Sequence, residues 1–146
     1  MIRPAQLSDL EAIVDLCCLL WPNSTREEHT VDIRTILTTN LCGTMPGAIF
    51  LTEDGSGFIE VDLRSHGDGC DPAQPVGYIE GLYVREEARR RGIARALFKA
   101  AEDWSRSHGA KEIASDTWID RDVSIETHQA LGFEIVDRCV HFRKTL

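Results

Sequence analysis

Apolar positions along this chain switch between two periods, one near that of a helix and one of two. Leu10, Ile13, Val14, Cys17 and Leu20 follow helical spacing behind a Ser8/Glu11 capping-box pattern, and Pro22 stops the run. Ser24 with Glu27 opens a second helix, whose apolar residues Val31, Ile33, Ile36 and Leu37 are less regularly spaced. Ala94, Leu97, Phe98, Ala101 and Trp104 form the clearest amphipathic stripe, ended near Gly109. The run from Ser124 to Leu131 predicts a last short helix closed by Gly132.

Strand-like segments fill the intervals: residues 2–5, 48–52, 58–63, 76–84 and 112–115, then two late ones at Phe133–Val136 and Val140–Phe142. Glu53-Asp54-Gly55-Ser56-Gly57 reads as a hairpin turn, and residues 65–75, rich in Gly, Asp and Pro, read as a loop. No repeat or linker breaks the order. The pattern predicts a single domain over residues 1–146, an α/β (α+β) fold with a mixed, mostly antiparallel sheet flanked by helices.

Composition narrows the partners. A net charge of −8 argues against nucleic acid, and no apolar run is long enough to span a membrane. The first residues, Met1-Ile2-Arg3-Pro4, lack signal-peptide organisation, so a cytoplasmic protein is expected. The five cysteines (17, 18, 42, 70 and 139) include no C-x-x-C pair and no metal-ligand spacing, which predicts reduced thiols and no metal.

Residues 80–98 carry the chemistry. A hydrophobic strand leads through a short turn into a helix expected to hold Arg89, Arg90 and Arg91 in its first turn. A helix start exposes unpaired N–H groups and partial positive charge, so three arginines there repel one another unless an anion sits among them. A diphosphate is the obvious candidate. The competing reading is a basic helix start solvated by Glu86 and Glu87.

Arg89-x-x-Gly92-x-Ala94 resembles the Q/R-x-x-G-x-G/A signature of the GNAT superfamily of N-acetyltransferases, and Gly132-Phe133 stands at the matching distance downstream. Gly92 lets the backbone approach phosphate oxygens, and Ala94 is too small to obstruct them. The resemblance implies a GNAT fold and acetyl-CoA as co-substrate. Its diphosphate would be held by the stretch Arg89, Arg90, Arg91, Gly92, Ile93, Ala94 and Arg95, and its pantetheine arm by the backbone of Leu82, Tyr83 and Val84 on a splayed strand.

Leu20-Trp21-Pro22, Gly69-Cys70-Asp71, Glu80-Gly81, Ala114-Ser115-Asp116-Thr117 and His128-Gln129-Ala130-Leu131-Gly132-Phe133-Glu134 are similar to the aminoglycoside 6′-N-acetyltransferases within that superfamily. The resemblance implies a polycationic substrate, acetylated on one amine by direct attack in a ternary complex, and a homodimer. It places Trp21, His66, Glu80, Asp116 and Asp137 at the substrate, with Glu80 or Asp116 as base. Three departures stand out: His128 occupies the seat of a frequent tyrosine proton donor, Arg121 a frequent asparagine position, and His66 an aromatic one.

Simpler roles compete at each position. Trp21 also suits a helix-end core site, Glu80 an internal salt bridge, Asp116 a cap, Asp137 open surface and His128 a structural histidine. The rival functions are a GNAT enzyme of polyamines, small amines or protein amines, and a non-catalytic acyl-CoA-binding module.

Overall fold

The periodic segments become a six-stranded sheet and the helices that cover it, in a computed structural model that describes the whole chain, residues 1–146. In chain order these are β1 (Ile2–Pro4), α1 (Leu10–Leu20), α2 (Arg26–Thr39), a two-residue β2 (Leu41–Cys42), β3 (Met45–Thr52), β4 (Gly57–Arg64), β5 (Val76–Val84), α3 (Ile93–Ser107), β6 (Glu112–Ser115) and α4 (Asp122–Ala130). The strand order is β1-β3-β4-β5-β6 with β2 beside β3; all pairs are antiparallel except β5 with β6. The expected mixed, mostly antiparallel sheet is present.

Alternation along β4 divides the core. Phe58 faces the α1/α2 side with Ile49 and Leu51, against Ile13, Val14, Leu16 and Ile33. Ile59 and Val61 face the other side, against Leu97, Phe98 and Ala101 of α3. Both sheet faces are thus covered, and a polar side chain on β4 is buried whichever way it points.

Local details depart from the expectations. The capping pattern before α1 uses Gln6 and Asp9, not Ser8 and Glu11: Gln6 N donates to Asp9 Oδ2 at 2.8 Å, and Arg3 fixes the same carboxylate with two 2.8 Å bonds. The box of α2 is Thr25/Glu28, one residue beyond Ser24/Glu27, with reciprocal bonds of 3.2 and 2.8 Å. Val31, expected on the apolar face, is 64% exposed, because Ile33 and Ile36 set the buried stripe.

The two late strands do not form: residues 131–146 contain no helix or strand, and Val140 and Phe142 are exposed. A strand persists through a ladder with a neighbour, and this segment pairs with no strand of its own chain. No helix is long and apolar enough to cross a membrane.

Candidate active site

Two interruptions of the sheet meet at one point. Opposite β5, the register passes from Glu60↔Gly81 to Val61↔Ile79, so Glu80 faces no residue of β4 and forms a bulge that re-aims its side chain. On the other side of β5, the parallel ladder to β6 ends at Ile79↔Ser115. Beyond that pair, residues 80–84 are laddered to β4 alone, which leaves one edge of the Leu82–Val84 backbone open. The β5–β6 ladder thus ends short of the residues that the GNAT resemblance puts on a splayed strand.

The chain then turns through residues 85–92 into α3. Arg89, Arg90 and Arg91 all lie before the helix, not in its first turn, and Arg89 Nε donates to the Val84 carbonyl at 2.9 Å. Arg90 (φ 61°) and Gly92 (φ 78°) both adopt left-handed backbone, a geometry that turns successive N–H groups into a concave anion-binding nest. Gly92 is the N-cap and offers no capping side chain; the first helical bond outside it is Ala96 N to Gly92 O, 3.0 Å. The N–H groups of Ile93, Ala94 and Arg95 thus lack intrahelical acceptors. Arg90, Arg91 and Arg95 are exposed beside them. These residues fit a diphosphate-bearing co-substrate.

On the opposite face, a cavity of about 750 Å³ opens between α2 and the β4/β5 bulge. Glu27, Glu28, Asp32, Glu60 and Glu80 line it, with no lysine or arginine among the lining residues. Trp21 and buried His29 form its wall, their rings 5.9 Å apart, and His29 Nε2 donates to the Trp21 carbonyl at 3.3 Å. Opposite them stands Gly81: a Cβ there would lie 2.7 Å from Trp21 Cζ2. Trp21 is both packed, as its simpler reading held, and exposed to the cavity.

Glu80 is joined to a cation of the same sheet. Arg64 Nε and Nη2 both donate to Glu80 Oε1, at 2.9 and 2.5 Å. The internal salt bridge weighed for Glu80 exists, and Glu80 lines the cavity all the same. The Arg64 guanidinium rests 3.5 Å from the centre of the Tyr78 ring, and Tyr78 Oη donates to Asp116 Oδ2 at 2.5 Å. Burial, then the Asp116 bond, pushes the Tyr78 hydroxyl above its ordinary range. Asp116 is therefore held by a phenol rather than capping the segment after β6.

His128 sits on α4 with Nδ1 2.7 Å from the Ser124 carbonyl and Nε2 2.9 Å from Ser115 Oγ. Phe98 and Phe133 meet its ring edge-on at 5.8 and 5.4 Å. His66 faces Asp68 (3.3 Å) and is not among the cavity-lining residues. Asp137, exposed in the C-terminal segment, accepts from its neighbour's backbone, Arg138 N at 2.7 Å. The fold brings Trp21 and Glu80 together at the cavity and links Asp116 to them through Tyr78 and Arg64. It does not bring His66 or Asp137 there.

Sequence reasoning passed over Glu60 and Asp62. Glu60 is 9% exposed, and burial, with the charges of Glu80, Asp62 and Asp32 adding, pushes its carboxyl up to about 7. Asp62 is raised in the same way by burial and by Glu80, and its Oδ1 has no hydrogen-bond partner. Their signal was in plain view. Two carboxylates at alternate positions of an apolar strand are as costly to bury as the one singled out on β5. His29 and Tyr78 carry no comparable sequence signal. No group of three or more His, Cys, Asp or Glu side chains is placed to hold a metal ion.

Residues 12–133 match the family described as the acetyltransferase (GNAT) family. The chain is 36% identical to an aminoglycoside N(6')-acetyltransferase type 1 of Klebsiella aerogenes, covering 100% of this chain and 97% of that protein. It is 37% identical to one of Serratia marcescens, covering 100% and 99%. Among solved structures it is similar to AAC(6')-Iy in complex with the bisubstrate analogue CoA-S-monomethyl-acetylneamine, with a TM-score of 0.88, 34% identity and coverage of 100% and 98%.

Proposed function

The chain belongs to the GNAT acetyltransferase family, and on that premise we propose that it transfers the acetyl group of acetyl-CoA to the 6′-amine of aminoglycosides. The observation that carries the substrate class is the cavity lined by five carboxylates and no lysine or arginine. Several ammonium groups on one ligand satisfy such a surface, each charge-assisted hydrogen bond contributing about 1.5–3 kcal/mol.

The proposed roles divide between the two halves of the site. The N–H groups around Arg90–Arg95, with Arg89, Arg90 and Arg91, hold the diphosphate. The open edge of Leu82, Tyr83 and Val84 holds the pantetheine arm, and an N–H there steadies the oxyanion. Acetyl-CoA supplies the activated acyl group. Trp21 covers a sugar face or an ammonium group. Glu80, oriented by Arg64, takes a proton from the attacking amine directly or through water, worth about 10²–10⁴-fold. Asp116 holds a second amine or shares that task. Positioning both substrates together replaces any acyl-enzyme step. His66 and Asp137 lie outside the cavity of one chain, and a role at the substrate would need their segments to move or a second copy to complete the site.

A homodimer belongs to the same proposal. Ile135, Val136, Val140 and Phe142 are exposed, and β6 ends the sheet with an open edge, so a second copy is the natural partner for this segment. Light scattering of the intact chain should give twice the monomer mass, and deletion of residues 134–146 should abolish the doubling. A cytoplasmic setting fits the five free cysteines.

The deciding experiment is thiol release from acetyl-CoA with kanamycin, tobramycin, spermidine and a lysine-containing peptide. A clearly higher kcat/KM for the aminoglycosides, with the acetyl group placed by mass spectrometry, supports the proposal. Preference for spermidine or the peptide replaces the substrate, and acetyl-CoA binding without turnover points to a non-catalytic module.

A further inference from the structure

Ser115 and His128 form, we propose, a proton relay that delivers a proton to the departing thiolate, with the Ser115 hydroxyl as the group that touches sulfur; this rests on the acetyl-transfer reading above. The observation behind it is that neither ring nitrogen of His128 is free. A carbonyl oxygen only accepts, so the 2.7 Å contact to Ser124 O puts a hydrogen on Nδ1. Nε2 is taken by Ser115 Oγ at 2.9 Å, and the edges of Phe98 and Phe133 hold the ring in that pose. The imidazole therefore communicates with anything outside α4 through the serine oxygen.

Ser115 is placed for this. It is the last residue of β6 and faces Ile79 at the point where β5 and β6 part. A hydroxyl accepts one hydrogen bond while donating another. With the ring in its imidazolium form, Nε2–H donates to Ser115 Oγ, and the serine hydrogen is free to turn into the opening between the strands.

The step balances. The amine lone pair forms the C–N bond, and the C–S bond breaks with its electron pair passing to sulfur. Sulfur takes the Ser115 hydrogen as Oγ takes the Nε2 hydrogen, and the ring is left neutral with Nδ1–H on the Ser124 carbonyl. The extra proton on the product nitrogen leaves to Glu80, and a solvent proton returns to Nε2 of His128 through the Ser115 hydroxyl. A serine backed by histidine thus does here what a tyrosine hydroxyl would do from the seat that His128 fills.

The test compares Ser115→Ala with Ser115→Thr, which keeps the hydroxyl, in the full-length protein. Ser115→Ala should lower kcat by about 10²-fold, the lower end of the usual range for a lost proton donor, with KM for acetyl-CoA little changed. Ser115→Thr should restore most of it. A second reading needs no turnover: the thiol of bound CoA, followed by the ultraviolet absorbance of its thiolate, should titrate at lower pH in the wild type and Ser115→Thr than in Ser115→Ala. A kcat of Ser115→Ala within twofold of wild type, or identical thiol titrations in all three proteins, overturns the relay. A wild type that acetylates no amine would sink the functional proposal, and the titration would still judge the relay by itself.

Discussion

The guanidinium of Arg64 lies flat against Tyr78, 3.5 Å from the ring centre, while it gives both Nε and Nη2 to Glu80. The same ring donates its hydroxyl to Asp116. Arg64 and Tyr78 therefore tie two carboxylates that stand 36 residues apart in sequence, one on β5 and one just past the end of β6, into one unit. A cation–π contact and a charge-assisted pair hold Arg64 at a point where lysine would satisfy only one of them.

Glu80→Gln keeps the shape of the side chain and removes its charge. Its turnover or its aminoglycoside affinity should fall, by about 10²–10⁴-fold if Glu80 is the base. Acetyl-CoA binding, measured by calorimetry, should be unchanged. Unaltered kinetics would remove Glu80 from the mechanism.

Tyr78→Phe keeps the ring under Arg64 and deletes the donor to Asp116. The loss should appear in kcat/KM for aminoglycoside, about 10-fold or more, as expected when a charged group loses its hydrogen bond. Arg64→Met should cost more than Tyr78→Phe, because it frees Glu80 and uncovers the ring together. The reverse order would show that Arg64 does not orient Glu80.

Gly81→Ala drives a methyl into the Trp21 indole. Overpacking of this kind costs about 1–3 kcal/mol, so Tm should drop. The displaced indole should raise KM for aminoglycoside and leave KM for acetyl-CoA alone. Equal change in both constants would indicate a general disturbance of β5.

Gly92→Val tests the other half of the site. At φ 78° a β-branched residue is strained, and the nest it helps to shape should distort. KM for acetyl-CoA should rise several-fold with KM for aminoglycoside little altered. An unchanged KM for acetyl-CoA would detach the 90–95 backbone from the diphosphate.

The raised carboxyl of Glu60 gives a pH dependence with a definite sign. Between its ordinary value of 4.5 and about 7, the folded protein keeps a proton that the unfolded chain has released. The resulting stability is complete below 4.5, declines as pH rises and is gone above about 7. Glu60→Gln stays neutral throughout, so its advantage over wild type should widen between acid and neutral pH by up to about 3 kcal/mol. Chemical denaturation across that range would measure it, and a gap that does not change with pH would mean the Glu60 carboxyl is not raised.

The order of elements, the β5 boundaries and the strand–turn–helix that leads into α3 were legible in the chain, because each is written in local periodicity and turn chemistry. The seat of Trp21 at the end of α1 and the single carboxylate on β5 were legible too. Helix caps were missed by one or two residues, since several Ser, Thr and Asp side chains near each start can cap and only the path of the backbone selects among them.

Local pattern, then, determined where most helices and strands fall, that a strand and turn lead into α3, and that a lone carboxylate on β5 needs a partner. Tertiary structure decided what those residues meet. The missing partner of Glu80 across the sheet, the end of the β5–β6 ladder at Ser115 and the burial of Glu60 beneath α2 each arise from contacts between segments far apart in the chain. The segment beyond Gly132 shows the same division: its apolar alternation reads as strand, but a strand exists only where a neighbour pairs with it, and a single chain supplies none.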